Sequence, residues 1–151
     1  MRFKFGMEDA RILWRELNPL IDEHTIELRG ENSGTRPDVG YYNDMAKRKD
    51  LLLFTVRHHQ TGVLVGYSSF FLVEDNQRSG EVCAHQDAIF ISKEYRKGLT
   101  GYKFIQYIEQ EIAAMGVNTI YQAVTPRVDF VHLLVRLGYQ EATTIYSKRL
   151  N

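Results

Sequence analysis

The sequence has little cysteine, no long apolar run and no net charge, and each absence narrows the classes of protein it can encode. A single cysteine, Cys83, among 151 residues excludes an internal disulfide framework and a CxxC metal or redox site. No stretch approaches the roughly 18 apolar residues of a membrane-spanning helix, and the N-terminal MRFKFGMEDAR has no apolar signal core. We therefore expect an intracellular, cytoplasmic protein with no membrane partner.

The balance of charge argues against a nucleic-acid partner. Lys plus Arg and Asp plus Glu both total 19, whereas non-specific nucleic-acid binding requires many cations that neutralise phosphates. The sequence also contains neither GxGxxG nor GxxxxGK[ST], the usual phosphate-binding fingerprints. Any anion site must therefore be local. The length favours one domain over residues 1–151.

The pattern of apolar residues predicts an α+β fold with a mixed, mainly antiparallel sheet flanked by helices. Three strand-like runs form an antiparallel meander, namely Leu51–His58, Val63–Val73 and Val82–Ile91. A helix from Gly101 to Met115 and a strand from Asn118 to Val124 then imply a parallel crossover. The remaining predicted elements are a strand at Arg2–Phe5, a helix at Glu8–Leu17, a second helix capped by Asn18, a loop at Gly30–Gly40, a helix at Tyr41–Lys49, a helix capped by Asp129 and a final strand at Gln140–Leu150.

The segment between the third strand and the Gly101 helix has the composition of an anion-binding turn. It reads Arg96-Lys97-Gly98-Leu99-Thr100-Gly101. The first backbone N–H groups of a helix have no partner within it and carry partial positive charge. The two glycines would let a ligand oxygen approach the backbone closely, and the basic pair adds charge. An ordinary turn with solvated basic residues is the alternative.

The same segment resembles the acetyl-CoA motif of the GNAT superfamily of N-acetyltransferases. The residues that carry the resemblance run from Ile91 through Lys93, Tyr95 and Arg96 to Gly101. Leu133–Tyr139 is similar to the family's Leu-Tyr-x-x-Leu-Gly-Phe segment, and Ile145–Leu150 to its last strand. The chain also looks like the small acetyltransferases encoded by tailed phages.

The resemblance implies transfer of an acetyl group from acetyl-CoA, as co-substrate, to a primary amine by direct attack, without a metal. It implies a cofactor-binding set made of Phe90, Ile91, Ser92, Arg96, Lys97, Gly98, Leu99, Thr100, Gly101, Tyr102 and Arg127.

Four positions depart from the family's pattern. Lys93 replaces a frequent proline, and Leu99 stands where the first glycine of the motif is usual. Arg127 replaces an asparagine that contacts pantetheine, and Leu134 replaces the tyrosine that often protonates the departing thiolate.

His85 and Asp87 are the candidate catalytic residues. His85 occupies the place where some family members carry a glutamate base. A two-residue period puts His85, Asp87, Ile89 and Ile91 on one face of the strand, which would set a histidine beside a carboxylate. An imidazole accepts a proton readily near neutral pH, and a neighbouring carboxylate would stabilise its charged form. The alternative is that both residues simply face solvent.

Two other functional interpretations remain open. Leu99 and Leu134 favour a catalytically inactive module that binds acyl-CoA or another partner on the same fold. A nucleic-acid-binding domain that uses Lys47-Arg48-Lys49 is disfavoured by the zero net charge. The acceptor would be an amine-bearing small molecule or protein, and the final strand would offer an edge for a homodimer. Tyr139 and Tyr146 could donate a proton, although most tyrosines at such positions pack in the core or at an edge.

Overall fold

The computed structural model describes residues 2–31 and 33–151, so Asn32 of the predicted loop lies outside the described residues. Five strands form one sheet in the order of the chain. All neighbouring strands are antiparallel except β4 and β5, which are parallel. The predicted mixed α+β sheet is therefore confirmed. The strands are β1 (Phe3–Glu8), β2 (Leu51–His58), β3 (Leu64–Glu74), β4 (Val82–Ile91) and β5 (Thr119–Tyr121).

The N-terminal helical region differs from the prediction. Glu8 ends β1, and a 3-10 turn at Ala10–Ile12 precedes one continuous helix, α1 (Trp14–Arg29), which contains Pro19. The predicted break before Pro19 was wrong. A proline there forfeits one helical hydrogen bond, but burial of the apolar face of α1, which includes Leu17 and Leu20, outweighs that loss.

The other helices lie close to their predicted positions. They are α2 (Val39–Lys47), α3 (Thr100–Ala114) and α4 (Val131–Arg136). The carboxylate of Asp38 caps α2 by accepting from the N–H of Tyr41. Gly116 follows α3 and Gly138 follows α4 with positive φ angles of 84° and 92°, as expected for residues that end helices.

The sheet separates two apolar layers. One face packs against α3 through Phe54, Phe70, Ala84, Ile91, Phe104, Ile108 and Ile112. The other face packs against α1 through Leu13, Leu17, Leu20, Leu51, Leu53, Tyr67 and Phe90, with Tyr42 and Met45 of α2 at its margin. The side chains of β4 therefore point either into the α3 layer or towards α1 and α2.

The last segment of the sequence does not form the predicted strand. Residues 140–151, which we call the arm, contain no regular secondary structure and are exposed throughout. A strand needs a neighbouring strand that satisfies its backbone groups, and the arm has no such neighbour in the described chain. The prediction of a strand at 140–150 was therefore wrong for a single copy.

Candidate active site

One extra residue interrupts the pairing of β4 with β3. Ser69 pairs with Ala88, and the next residue of β3, Phe70, pairs with Gln86, so Asp87 is left over as a β-bulge. A bulge bends its strand and redirects the side chains around it. The bulge therefore gives Asp87 a position that a regular strand does not provide.

The bulge also changes which residues of β4 share a face. His85 pairs with Phe71, whose side chain packs in the α1 layer, and Asp87 is bonded to α2. Ile89 and Ile91 instead pack into the α3 layer on the opposite face. The prediction that these four residues of β4 share one face was wrong, because one extra residue reverses the alternation.

Two hydroxyl groups hold the carboxylate of Asp87. The Tyr42 hydroxyl of α2 donates to Oδ2 at 2.9 Å, and the Ser69 hydroxyl of β3 donates to the same oxygen at 3.0 Å. Burial, with the negative charge of Asp87 beside it, raises the pKa of Tyr42, so the phenol remains a donor. Among the described residues, no group donates a hydrogen bond to the other oxygen, Oδ1.

His85 lies near the place where β4 and β5 separate. Its ring stacks on that of Tyr121, with centroids 4.7 Å apart and planes inclined by 19°. His85 is exposed and does not bond to Asp87, so the predicted histidine–carboxylate contact is absent from the described structure. Both side chains nevertheless border the same side of the sheet.

The ladder between β4 and β5 is short. It ends at His85 and Tyr121, whereas β4 continues to Ile91. Beyond this point the edge of β4 that faces β5 has no strand partner in the described chain. An open strand edge offers backbone donors and acceptors to an extended ligand, and this edge leads directly to the predicted anion-binding turn.

The turn before α3 presents free backbone donors. Gly98 has a φ of 67°, and α3 begins at Thr100. Within the described residues, the N–H groups of Leu99, Gly101 and Tyr102 have no hydrogen-bond acceptor. A Cβ on Gly101 would lie 3.4 Å from the Cδ1 of Leu133, so glycine allows α4 to pack closely here. These donors lie at the start of a fifteen-residue helix, where an anion could bind, and anion binding there stays a prediction.

Basic side chains surround a pocket on one side of this turn. Lys97, Thr100 and Lys103 line it from the turn and α3, and Arg2, Phe3, Phe5, Tyr95 and Leu99 complete a volume of about 250 Å³. Its cations add local positive charge although the chain is neutral as a whole.

Arg96 is engaged by α1. Its guanidinium donates to both oxygens of Glu27, at 2.9 and 2.7 Å, and to the carbonyl oxygen of Ile91. It also lies over the ring of Phe90, 5.3 Å from the centroid. The hydrogen bonds from Arg96 lower the pKa of Glu27. Arg96 thus links α1 to the turn. A direct contact of Arg96 with a phosphate of the cofactor stays a prediction.

A half-buried histidine of the same helix, His24, faces the sheet. The Nδ1 atom of His24 lies 2.8 Å from the hydroxyl of Tyr67, and its ring stacks on Phe90 with centroids 4.8 Å apart. Burial lowers the pKa of His24 to about 4, so the imidazole is neutral at neutral pH. Sequence reasoning missed His24, although it follows Leu17 and Leu20 at helical spacing on the buried face of α1.

Two more predicted cofactor residues bind α1. The Ser92 hydroxyl donates to the carboxylate of Glu23 at 3.2 Å, and Arg127 donates to the carbonyl of Leu28 at 3.2 Å. Together with the Arg96 pair, these bonds join the second half of α1 to the turn and to the loop after β5. Tyr42, Ser69 and Glu27 carried no sequence signal because only the tertiary structure brings them to the site.

The candidate proton donors are dispersed. Leu134, at the position of the family's tyrosine, is buried. The hydroxyl of Tyr139 lies 3.5 Å from Nε2 of Gln122, just after β5, and burial raises its pKa. Tyr146 lies on the arm and is 90% exposed, so it is not part of this site within one copy.

Neither a metal site nor a membrane span emerges from the described residues. No three His, Cys, Asp or Glu side chains are grouped closely enough there to hold a metal ion. None of the helices combines the length and the apolar character that crossing a membrane requires.

Comparison with solved structures identifies the fold. The chain is similar to a ribosomal-protein-alanine N-acetyltransferase from Brucella melitensis biovar Abortus 2308, at a TM-score of 0.75 and 16% identity over 99% of both chains. It is similar to an aminoglycoside acetyltransferase from an uncultured soil metagenomic sample, at a TM-score of 0.77 and 13% identity over 100% of both.

A predicted acetyltransferase from Clostridium acetobutylicum, solved with acetyl-CoA, matches at a TM-score of 0.72 and 8% identity over 98% of this chain and 96% of that one. No protein-family profile and no curated protein sequence matches the chain. The chain has the fold of the GNAT acetyltransferases, as its motifs predict.

Proposed function

We propose that this protein is an acetyl-CoA-dependent N-acetyltransferase that acetylates a primary amine by direct attack. The observation that carries the proposal is the open edge of β4, which runs past the bulge at Asp87 to the free N–H groups at the start of α3. The fold similarity to acetyltransferases and the sequence motif support the same conclusion.

The residues present fit acetyl-CoA. The free N–H groups of Leu99, Gly101 and Tyr102 would bind the pyrophosphate, and Lys97 would add charge. The exposed backbone of β4 at Phe90 and Ile91 would bind the amides of the pantetheine arm. Bound there, acetyl-CoA would supply an acetyl group activated as a thioester.

The face of β4 towards α1 and α2 would receive the amine. An amine with a pKa near 10.4 must lose a proton before it can attack, which costs about 4.6 kcal/mol at pH 7. In our proposal the free oxygen of Asp87 binds and orients the ammonium, while His85 takes the proton as general base. The C–N bond then forms, the C–S bond breaks and the thiolate is protonated from solvent.

The acceptor is an amine-bearing small molecule or protein. The similar structures named above act on chemically different amines, a ribosomal-protein alanine in one case and an aminoglycoside in the other. Their identities to this chain, 16% and 13%, do not select between these classes. A screen of acceptors should therefore include free peptide N-termini, lysine side chains, polyamines and aminoglycosides.

Calorimetric titration with acetyl-CoA and CoA tests the proposal. We expect binding to the unmodified chain and to Ser79→Glu, a control in the loop before β4, but weak binding to Thr100→Glu. A glutamate at the first position of α3 favours the helix yet repels a phosphate, so its effect reports the site and not the folding. Absence of binding to the unmodified chain would refute the proposal. Binding without release of free thiol for any amine would favour the inactive acyl-CoA-binding module.

A further inference from the structure

An aromatic ring stands at the same level on each of β3, β4 and β5. Phe71 of β3 pairs with His85 of β4, and His85 pairs in turn with Tyr121 of β5. The rings of His85 and Tyr121 are stacked, with their centroids 4.7 Å apart. Side chains that are directly opposite on neighbouring strands lie close enough to interact. These three residues, which we call the aromatic row, therefore form one continuous surface.

The aromatic row lies on the side of the sheet that would receive the acceptor amine. The adjacent residues of the three strands pack in the α3 layer on the opposite face, namely Leu72, Ala84 and Ile120. Successive side chains of a strand point to opposite faces, and Phe71 packs in the α1 layer. The whole row therefore faces the side of α1 and α2, where Asp87 is also bonded to α2.

Helix α2 covers only one end of the aromatic row. The rings of Tyr41 and Tyr42 lie 6.0 and 5.8 Å from the ring of Phe71, measured between centroids. His85 is exposed and Tyr121 is half-buried, so the other end of the row is accessible. Aromatic rings bind one another in stacked or edge-to-face arrangements. The accessible end of the row is therefore a surface on which a flat ring of a ligand can lie.

One carboxylate is available beside the aromatic row. Asp87 lies two residues beyond the row on β4, and only one of its two oxygens accepts a hydrogen bond from the described residues. The carboxylates of Glu23 and Glu27, which α1 contributes on the same side of the sheet, already accept from Ser92 and Arg96. A ligand with several ammonium groups is best matched by several free carboxylates. The site instead matches a ligand with a single positive charge and an aromatic ring.

We propose that the acceptor is an arylalkylamine, a primary amine that a short alkyl chain joins to an aromatic ring. Its ring lies on the aromatic row, and its ammonium group binds Asp87. Two residues of a strand span about 6 to 7 Å, a distance that suits a chain of two or three carbons between ring and nitrogen. The assignment rests on the proposed acetyl transfer, in which the nitrogen loses a proton to His85 and forms the C–N bond as the thioester C–S bond breaks.

Calorimetric titration of the protein with matched amines, in the presence and absence of CoA, tests the proposal without turnover. Phenethylamine and cyclohexylethylamine carry the same charge on the same chain, and only the first has an aromatic ring. We expect phenethylamine to bind about two- to tenfold more tightly, because aromatic contacts contribute beyond the apolar area that they bury. It should also bind more tightly than spermidine, a polycation.

Tyr121→Leu removes one ring of the aromatic row and keeps an apolar side chain. The ratio of the two dissociation constants should fall towards one in this variant, and a partly misfolded sample would not change that ratio. Tyr146→Leu is the matched control, because Tyr146 is 90% exposed on the arm, and it should keep the wild-type ratio. The peptide Phe-Gly-Gly carries the phenethylamine skeleton at its N-terminus. Tighter binding of this peptide than of phenethylamine would support the proposal and identify the arylalkylamine as a peptide N-terminus.

The outcomes separate this proposal from the proposed function. Equal binding of phenethylamine and cyclohexylethylamine would overturn it, as would tighter binding of spermidine or a ratio that Tyr121→Leu leaves unchanged. Acetylation of some other amine, without binding of phenethylamine, would overturn it and leave the proposed acetyltransferase activity intact. Phenethylamine that binds as expected but releases no thiol from acetyl-CoA would support the ligand class and contradict the acetyl transfer.

Discussion

Both carboxylate oxygens of Glu27 accept hydrogen bonds from the guanidinium of Arg96, at 2.9 and 2.7 Å. The pair joins the second half of α1 to the turn that precedes α3, and the side chain of Glu27 is only 12% exposed. This pair therefore holds two parts of the site together. One is α1, which borders the proposed amine side, and the other is the turn proposed to bind the cofactor.

We expect Glu27→Gln to lower the free energy of unfolding by about 1–2 kcal/mol at neutral pH, because it removes a charge-assisted pair. Since Arg96 lowers the pKa of Glu27, its contribution is complete above the unfolded pKa of about 4.3 and is lost as the pH falls through the folded pKa. In urea denaturation, the free energies of unfolding of Glu27→Gln and of the unmodified chain should become equal at acidic pH. Asp22→Asn is the control. It breaks a pair with Arg36 whose side chains are 59% and 77% exposed, and it should change stability by less than about 1 kcal/mol.

Burial of His24 predicts a second pH dependence of stability. Its pKa falls to about 4 in the folded chain from about 6.5 in the unfolded one. The contribution of neutral His24 to the free energy of unfolding is therefore fully present above pH 6.5. It decreases towards pH 4, by a total on the order of 3 kcal/mol. His24→Gln should flatten this part of the profile. His132→Gln, at an exposed position of α4, should keep the wild-type slope, and an unchanged slope in His24→Gln would contradict the assignment.

Asp87 should affect binding of the acceptor amine and not binding of the cofactor. We expect Asp87→Asn to raise KM for the acceptor at least tenfold, about 1.4 kcal/mol, because the ammonium loses its charged partner. The affinity for CoA should stay unchanged in calorimetry. Tyr42→Phe removes one of the two hydroxyl donors and should have a smaller effect of the same kind. Equal losses of CoA binding in both variants would mean that the bulge serves folding alone.

His85 should control the rate of transfer. A general base typically contributes 10²- to 10⁴-fold, so His85→Gln should lower kcat within that range with little change in KM. Tyr121→Leu is the matched variant, since it removes the stacked ring and keeps the imidazole. Turnover that is unchanged across the pH range in His85→Gln would exclude this role.

Pro19 should be dispensable for the helix that contains it. Pro19→Ala restores one backbone donor in α1 and is expected to raise the free energy of unfolding by about 1–3 kcal/mol. Pro37→Ala is the control. Pro37 lies in the irregular segment before α2, where alanine only makes the unfolded chain more flexible and should be neutral or slightly destabilising. A loss of stability in Pro19→Ala would imply that the proline shapes α1.

The apolar pattern predicted the sheet well because the strands carry their own signal. β2 and β4 have the bounds that the sequence predicts, since apolar and β-branched residues fill most of β2 and both ends of β4. The turn before α3 was also predictable from Gly98 and Gly101, whereas its binding of an anion stays a prediction. Both features depend on residue types within the segment itself, so the sequence alone predicts them.

The features that sequence reasoning missed depend on distant residues. Whether Pro19 breaks α1 is decided by the apolar face of that helix against the sheet, which propensity alone cannot weigh. The bulge at Asp87 arises from the pairing of β4 with β3, so the alternation of β4 gave the wrong face for Ile89 and Ile91. The arm has the composition of a strand, but pairing requires an edge that the residues themselves do not supply.

The agreement between strand order and chain order bears on how the protein folds. β2, β3 and β4 each pair with the strand before them, although α1 and α2 separate β1 from β2. β2, β3 and β4 form successive hairpins with short sequence separations, and such local contacts favour rapid folding. We therefore expect residues 51–91 to nucleate the sheet, with β5 joining after α3 has crossed over it. The strand that joins the sheet last, β5, is then one of its two edge strands.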